Sequence, residues 1–95
     1  MDIAAPSGTT VVAANGGTVI KAYYNSSYGN MVMIDHGGGI VTLYAHNSQL
    51  LVKTGDVVAR GQAIAKSGST GDATGPHVHF EVRVNGEYKN PRSWL

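Results

Sequence analysis

Three histidines and one aspartate carry the chemistry that this sequence suggests. His77 and His79 lie two residues apart, His46 closes a Leu-Tyr-Ala-His run, and Asp2 stands near the start of the chain. In a β-strand, residues two apart point to the same face, so His77 and His79 can direct both imidazoles to one point. Neutral imidazole and carboxylate are common Zn²⁺ ligands. The pattern predicts a metal-dependent hydrolase site in which one further ligand is not apparent.

Two more titratable residues, Glu81 and His36, can be explained by structural roles. Glu81 shares the predicted strand face of His77 and His79, so its carboxylate can orient an imidazole by hydrogen bonding to a ring nitrogen. A surface or ion-pairing role is the plainer expectation for Glu81 taken alone. His36 stands just before three consecutive glycines, and we expect it to be a hydrogen-bonded turn residue with no part in the chemistry.

Length and composition predict one small domain that covers residues 1–95. Thirteen glycines indicate many tight turns and little helix. A net charge of +1 gives no sign of nucleic-acid binding. The absence of cysteine excludes disulfides and thiol catalysis. No apolar run approaches the ~18 residues of a membrane span, and no signal peptide is recognisable.

Apolar residues alternate with period two along most of the chain, which predicts an all-β, mostly antiparallel fold with glycine-rich turns. The last long strand should turn Val78, Phe80, Val82 and Val84 to the core and the histidines to the other face. Asn85-Gly86 should form a hairpin turn after it. We predict strands or strand-rich segments at residues 11–14, 18–24, 31–34, 40–44, 52–65 and 77–85.

Several separate motifs, in a consistent order, resemble one known family. The most specific are Ser69-Thr70-Gly71 and the segment 74–83, which contains His77 and His79; the segment 2–9, Tyr44-Ala45-His46 and Asn90-Pro91 add to them. Together they resemble the zinc metallopeptidase domains of the lysostaphin and LytM type, which cut peptidoglycan, over essentially the whole chain. The resemblance implies an antiparallel sheet sandwich or β-roll, of the duplicated hybrid motif kind, with a groove that holds zinc.

The resemblance also implies a role for each site residue. Asp2 and His79 match two zinc ligands, and His46 and His77 match the two catalytic histidines that do not bind the metal. The family's first ligand, a histidine four residues before the aspartate, would precede Met1. We therefore expect a domain truncated at its N-terminus, with reduced activity in the chain as given, because a catalytic zinc usually has three protein ligands.

The function implied by the resemblance is zinc-dependent hydrolysis of peptide bonds in bacterial peptidoglycan, in stem peptides or cross-bridges, at the cell envelope or outside the cell. The alternative is a non-catalytic binding or activator module of the envelope on the same fold. A biotinyl- or lipoyl-type carrier would explain the glycine-cornered segment 52–65, but the modified lysine of such carriers has no counterpart here. Oligomeric state is not indicated.

Overall fold

The computed structural model describes residues 2–4, 8–68 and 77–89, and every regular element within those ranges is a β-strand. The predicted all-β fold is therefore confirmed for this part of the chain. The motif Ser69-Thr70-Gly71 and the start of the motif 74–83 lie outside the described residues. The strands are β1 (Asp2–Ala4), β2 (Thr10–Val12), β3 (Gly17–Asn25), β4 (Gly29–Asp35), β5 (Ile40–Leu50), β6 (Val57–Val58), β7 (Ala63–Ser67), β8 (His77–Val84) and β9 (Glu87–Lys89).

The strands form one antiparallel sheet in the order β1-β8-β5-β4-β3-β6, and β2, β7 and β9 pair beside this path. The tight β4–β5 connection needs the predicted glycines, since Gly37, Gly38 and Gly39 all have positive φ, at 86°, 63° and 81°. The predicted turn at Asn85-Gly86 is present, again with positive φ at both residues. Within the described ranges, nothing is helical, so no helix could cross a membrane there.

The main core lies on one face of the central strands. Because Thr42 pairs with Val82 and Tyr44 with Phe80, these four side chains point to the same face. Phe80 and Val82 are buried, as the alternation predicted, and the side chain of Val78 is outside the described set. The other buried members of this cluster are Val11, Ala13, Val19, Val32, Ile34, Val58, Ile64 and Ala65.

The opposite face of the same strands has a smaller apolar cluster of Met31, Leu43 and Ala45. Leu43 pairs with Glu81 and Ala45 with His79, so this is the face that carries the predicted chemistry. This face is partly shielded from solvent, since only 6% of the Glu81 surface is exposed. The sheet thus has a structural side and a polar, partly buried side.

Candidate metal and catalytic site

Sheet register brings two of the predicted site residues to neighbouring positions on adjacent strands. Asp2 in β1 is the cross-strand partner of His79 in β8, and His79 is in turn the partner of Ala45 in β5. Directly opposed residues of an antiparallel pair lie on the same face of the sheet, with Cβ atoms ~4.5–5.5 Å apart. His77 lies opposite Ala4. The side chains of Asp2 and His77 themselves are outside the described residues.

His46 reaches the same site because β5 contains a bulge. Asn47 pairs with Asn30 but Tyr44 pairs with Val32, so Ala45 and His46 together oppose one residue of β4. His46 has φ of 63°, a left-handed conformation that is uncommon outside glycine. A bulge re-aims the side chains that follow it. The His46 ring consequently lies 6.1 Å from the His79 ring, centroid to centroid.

Without this bulge, strict alternation would place His46 on the face of Tyr44, inside the main core. The predicted strand at residues 40–44, with His46 at its end, is too short, since β5 continues to Leu50. The peptide N–H of His46 donates to the main-chain carbonyl of Tyr28 over 2.6 Å. This hydrogen bond anchors the bulge at the start of the β4 strand. His46 itself is buried, with 8% of its surface exposed.

Glu81 is the centre of the hydrogen-bond network at the site. Its Oε2 accepts from His79 Nε2 over 2.7 Å and from the Tyr28 hydroxyl over 3.1 Å. Its Oε1 accepts from Arg83 Nε and Nη2 over 3.1 and 2.8 Å. Burial alone raises the pKa of the Glu81 carboxyl, but the hydrogen bonds from Arg83, His79 and Tyr28 outweigh it and hold the pKa below its ordinary value. Glu81 is therefore ionised at neutral pH.

The ionised carboxylate determines the tautomer of His79. A carboxylate only accepts hydrogen bonds, so the Nε2 atom of His79 must carry the hydrogen. The lone pair of the neutral ring is then on Nδ1. Metal-binding histidines in proteins commonly donate their second ring N–H to a carboxylate in this way. The hydrogen bond with Glu81 therefore favours the His79 tautomer whose lone pair is on Nδ1.

Tyr28 is a component of the site that the sequence did not reveal. Its ring stacks on His79 with a centroid separation of 6.0 Å and an interplanar angle of 22°. Burial raises the pKa of the Tyr28 phenol, and the neighbouring Glu81 carboxylate raises it further. Arg83 Nη2 approaches the same hydroxyl at 3.4 Å. The sequence around Tyr28 shows only a tyrosine before a glycine in a polar turn. The proximity of Tyr28 to β8 depends on the pairing of strands that are distant in sequence.

His36 is not part of this arrangement. Its ring nitrogens make hydrogen bonds of 2.7 Å with the Gly16 carbonyl and 2.6 Å with the Thr42 hydroxyl. The Thr42 hydroxyl bonds in turn to the Tyr44 hydroxyl on the core face. The expectation that His36 is hydrogen-bonded is confirmed, and its lack of a chemical role stays a prediction.

A zinc ion fits the chemistry of the residues present, although the described side chains alone do not complete its ligand set. Within the ranges 2–4, 8–68 and 77–89, no group of three or more candidate side chains is disposed to hold a metal. By residue type, the candidate donors are the imidazole of His79 and the carboxylate of Asp2, whose main-chain positions pair across β1 and β8. Nitrogen and carboxylate oxygen are both ordinary zinc ligands.

Comparison with known proteins identifies the family. The model of peptidase family M23 matches residues 1–91. The chain belongs to this family, as its resemblance to lysostaphin- and LytM-type domains predicted. It is 49% identical, over 97% of its length, to the peptidoglycan DD-endopeptidase ShyC of Vibrio cholerae, and 42% identical, over its full length, to the murein hydrolase activator EnvC of Escherichia coli. It spans only 21% and 23% of those two proteins.

Solved structures agree with the fold. The catalytic domain of lysostaphin from Staphylococcus simulans superposes with a TM-score of 0.91 at 33% identity, covering 98% of this chain and 74% of that one. A zinc-containing peptidase from Vibrio cholerae superposes with a TM-score of 0.90 at 42% identity, covering 93% of this chain and 27% of that one. The antiparallel, lysostaphin-type architecture is therefore confirmed.

Proposed function

We propose that this chain is a zinc-dependent endopeptidase domain that hydrolyses peptide bonds of bacterial peptidoglycan, in stem peptides or cross-bridges. The observation that carries the proposal is the Glu81–His79 pair, which fixes a metal-binding tautomer of His79 beside His46 and in register with Asp2. The similarity to a peptidoglycan DD-endopeptidase supports the substrate class. Such a substrate implies action at the cell envelope or outside the cell.

Each site residue has a proposed role. Asp2 and His79 hold the zinc ion, and Glu81 orients His79. Zinc, when bound, would activate water and polarise the scissile carbonyl. His77 acts as the general base that removes a proton from the attacking water, and His46 donates a hydrogen bond to the developing oxyanion or shares the proton transfer. The partly buried face around His46 limits the access of bulk water to these groups.

Zinc analysis and a peptidoglycan assay test these roles together. In His77→Ala, zinc content should persist while release of soluble muropeptides, measured by mass spectrometry, falls to background. In His79→Ala, zinc content and hydrolysis should both be lost. Glu87→Gln provides a matched surface control, since Glu87 lies in β9 and its exposed carboxylate accepts a hydrogen bond from Lys89 over 3.2 Å. Full hydrolysis by His77→Ala would remove His77 from the mechanism.

A second candidate is a non-catalytic envelope module that activates another hydrolase. The similarity to a murein hydrolase activator along the full length of the chain favours it. The two candidates differ in metal content: a wild-type chain that binds no zinc at micromolar free metal and releases no muropeptides, yet sediments with peptidoglycan, would support the activator. About one zinc per chain together with hydrolysis would support the endopeptidase.

A further inference from the structure

We propose that Tyr28 is a positioning residue for the two described site histidines, His46 and His79. Its side chain holds the His79 ring in one tautomer and orientation, and its main-chain carbonyl holds the bulge that presents His46. This inference rests on the proposed function for its catalytic meaning. The structural effect on His79 can be tested without metal or substrate.

The side chain of Tyr28 restrains His79 in two ways. The stacked ring opposes rotation of the imidazole out of its plane. The hydroxyl bonds Glu81 Oε2, which is the same oxygen that accepts from His79 Nε2. Arg83 donates its two hydrogen bonds with Glu81 to the other carboxylate oxygen, Oε1. Tyr28 is therefore the second donor that fixes the carboxylate oxygen facing His79.

The main chain of Tyr28 supports His46. The 2.6 Å hydrogen bond from the His46 N–H to the Tyr28 carbonyl holds a residue whose φ of 63° carries a conformational cost. Such a conformation persists only where surrounding contacts over-determine it. One residue thus contacts both histidines, by its carbonyl on one side and its phenol on the other.

Tyr28 is itself placed by a local turn. The Asn25 side-chain oxygen accepts the N–H groups of Ser27 and Tyr28, over 2.8 and 3.1 Å, at the end of the β3–β4 hairpin. Gly29 follows with φ of 67°, which allows the chain to enter β4. The hairpin end therefore holds the partly buried Tyr28 side chain over the sheet face, where it packs against the buried cluster of Met31, Leu43 and Ala45.

The test compares Tyr28→Phe, which removes only the hydroxyl, with Tyr28→Leu, which also removes the ring. Tyr24→Phe is the matched control, since Tyr24 lies in the same hairpin and is 61% exposed. The first readout is ¹⁵N NMR of the imidazoles in the chelator-treated chain near pH 8, since the ¹⁵N shifts report which ring nitrogen carries the hydrogen. The second readout is Zn²⁺ affinity by chelator competition.

We expect wild type and Tyr24→Phe to show one His79 form with the hydrogen on Nε2. Tyr28→Leu should show averaged tautomer shifts and about tenfold weaker Zn²⁺ binding, the low end of the effect of losing a group that orients a metal ligand. Tyr28→Phe should lie between them. Circular dichroism and the thermal midpoint establish whether each variant is folded.

An unchanged His79 tautomer in a folded Tyr28→Leu variant would overturn the inference. If the leucine variant does not fold, the phenylalanine variant decides, and His79 shifts identical to wild type in it would overturn the inference as well. Failure of the proposed function is seen separately. A wild-type chain that binds no zinc and hydrolyses no peptidoglycan would contradict the endopeptidase function. The tautomer measurement on the metal-free chain would still test whether Tyr28 positions His79.

Discussion

Replacing Glu81 by glutamine should reverse the tautomer of His79 with little change of shape. Arg83 can only donate hydrogen bonds, and it donates two to Oε1, so the amide oxygen of the glutamine must face Arg83. The amide nitrogen then faces His79 Nε2 and the Tyr28 hydroxyl. Because that nitrogen is a donor, Nε2 of His79 must accept. The hydrogen moves to Nδ1, which loses its lone pair.

The expected magnitudes follow from these contacts. Loss of a group that orients a metal ligand typically weakens metal binding by ~10- to 100-fold, which is about 1.4 to 2.7 kcal/mol of binding free energy. The free energy of unfolding should fall by ~1–2 kcal/mol, because two charge-assisted hydrogen bonds from Arg83 become neutral-acceptor ones. The Arg83 side chain is 35% exposed, so water already screens part of that interaction.

Three measurements check the prediction for Glu81→Gln: Zn²⁺ affinity by chelator competition, the His79 tautomer by ¹⁵N NMR, and urea unfolding. Glu87→Gln is the control for the same chemical change, because the Glu87 side chain is 76% exposed. If Glu81→Gln kept the hydrogen on Nε2 and bound Zn²⁺ as tightly as wild type, the reasoning would be refuted. A change of equal size in Glu87→Gln would show that the effect is not local.

Two further predictions concern the frame around the site. Gly17→Ala should lower the free energy of unfolding by ~1–3 kcal/mol, since its Cβ would collide with the main-chain oxygen of Asp35. Gly16→Ala is the control in the same urea experiment, because its Cβ would stay 3.4 Å from its nearest neighbour. Tyr44→Phe should cost ~1–2 kcal/mol, because the Ala14 N–H and a buried threonine hydroxyl lose their acceptor. Burial raises the pKa of the Tyr44 phenol above its ordinary 10.0 despite those hydrogen bonds. The free energy of unfolding that this raised pKa contributes is fully present below pH 10 and is lost as pH rises further. Tyr44→Phe should therefore lose less stability at alkaline pH than wild type in the same unfolding measurement. Equal losses in both proteins would contradict this.

The parts of the fold that the sequence predicts are those set by local pattern. Alternation over residues 77–85 placed Phe80 and Val82 in the core, and the structure confirms both. The turn at Asn85-Gly86 depends on residues that tolerate positive φ, which is also a local property. The pairing of Glu81 with His79 follows from their period-two spacing on one strand.

The parts that sequence does not predict depend on register between distant strands. The bulge at His46 is visible only as a mismatch between β4 and β5, and alternation alone places that histidine on the wrong face. Tyr28 meets Glu81 across 53 positions of sequence, and no local pattern signals that contact. The burial of Glu81 also depends on this register, because Glu81 in β8 pairs with Leu43 of β5, and the cluster around Leu43 is built from β4 and β5.

The main hydrophobic core and the candidate site lie on opposite faces of the sheet. Tyr44 serves the main core and His46, two positions later, serves the other face, because the bulge lies between them. Substitutions at the chemical face can therefore accumulate without opening a hole in the principal core. A domain with such a sheet can lose an activity at one face and remain folded, and the same fold can then serve a different function. The fold alone therefore does not determine whether a given domain of this architecture hydrolyses a substrate.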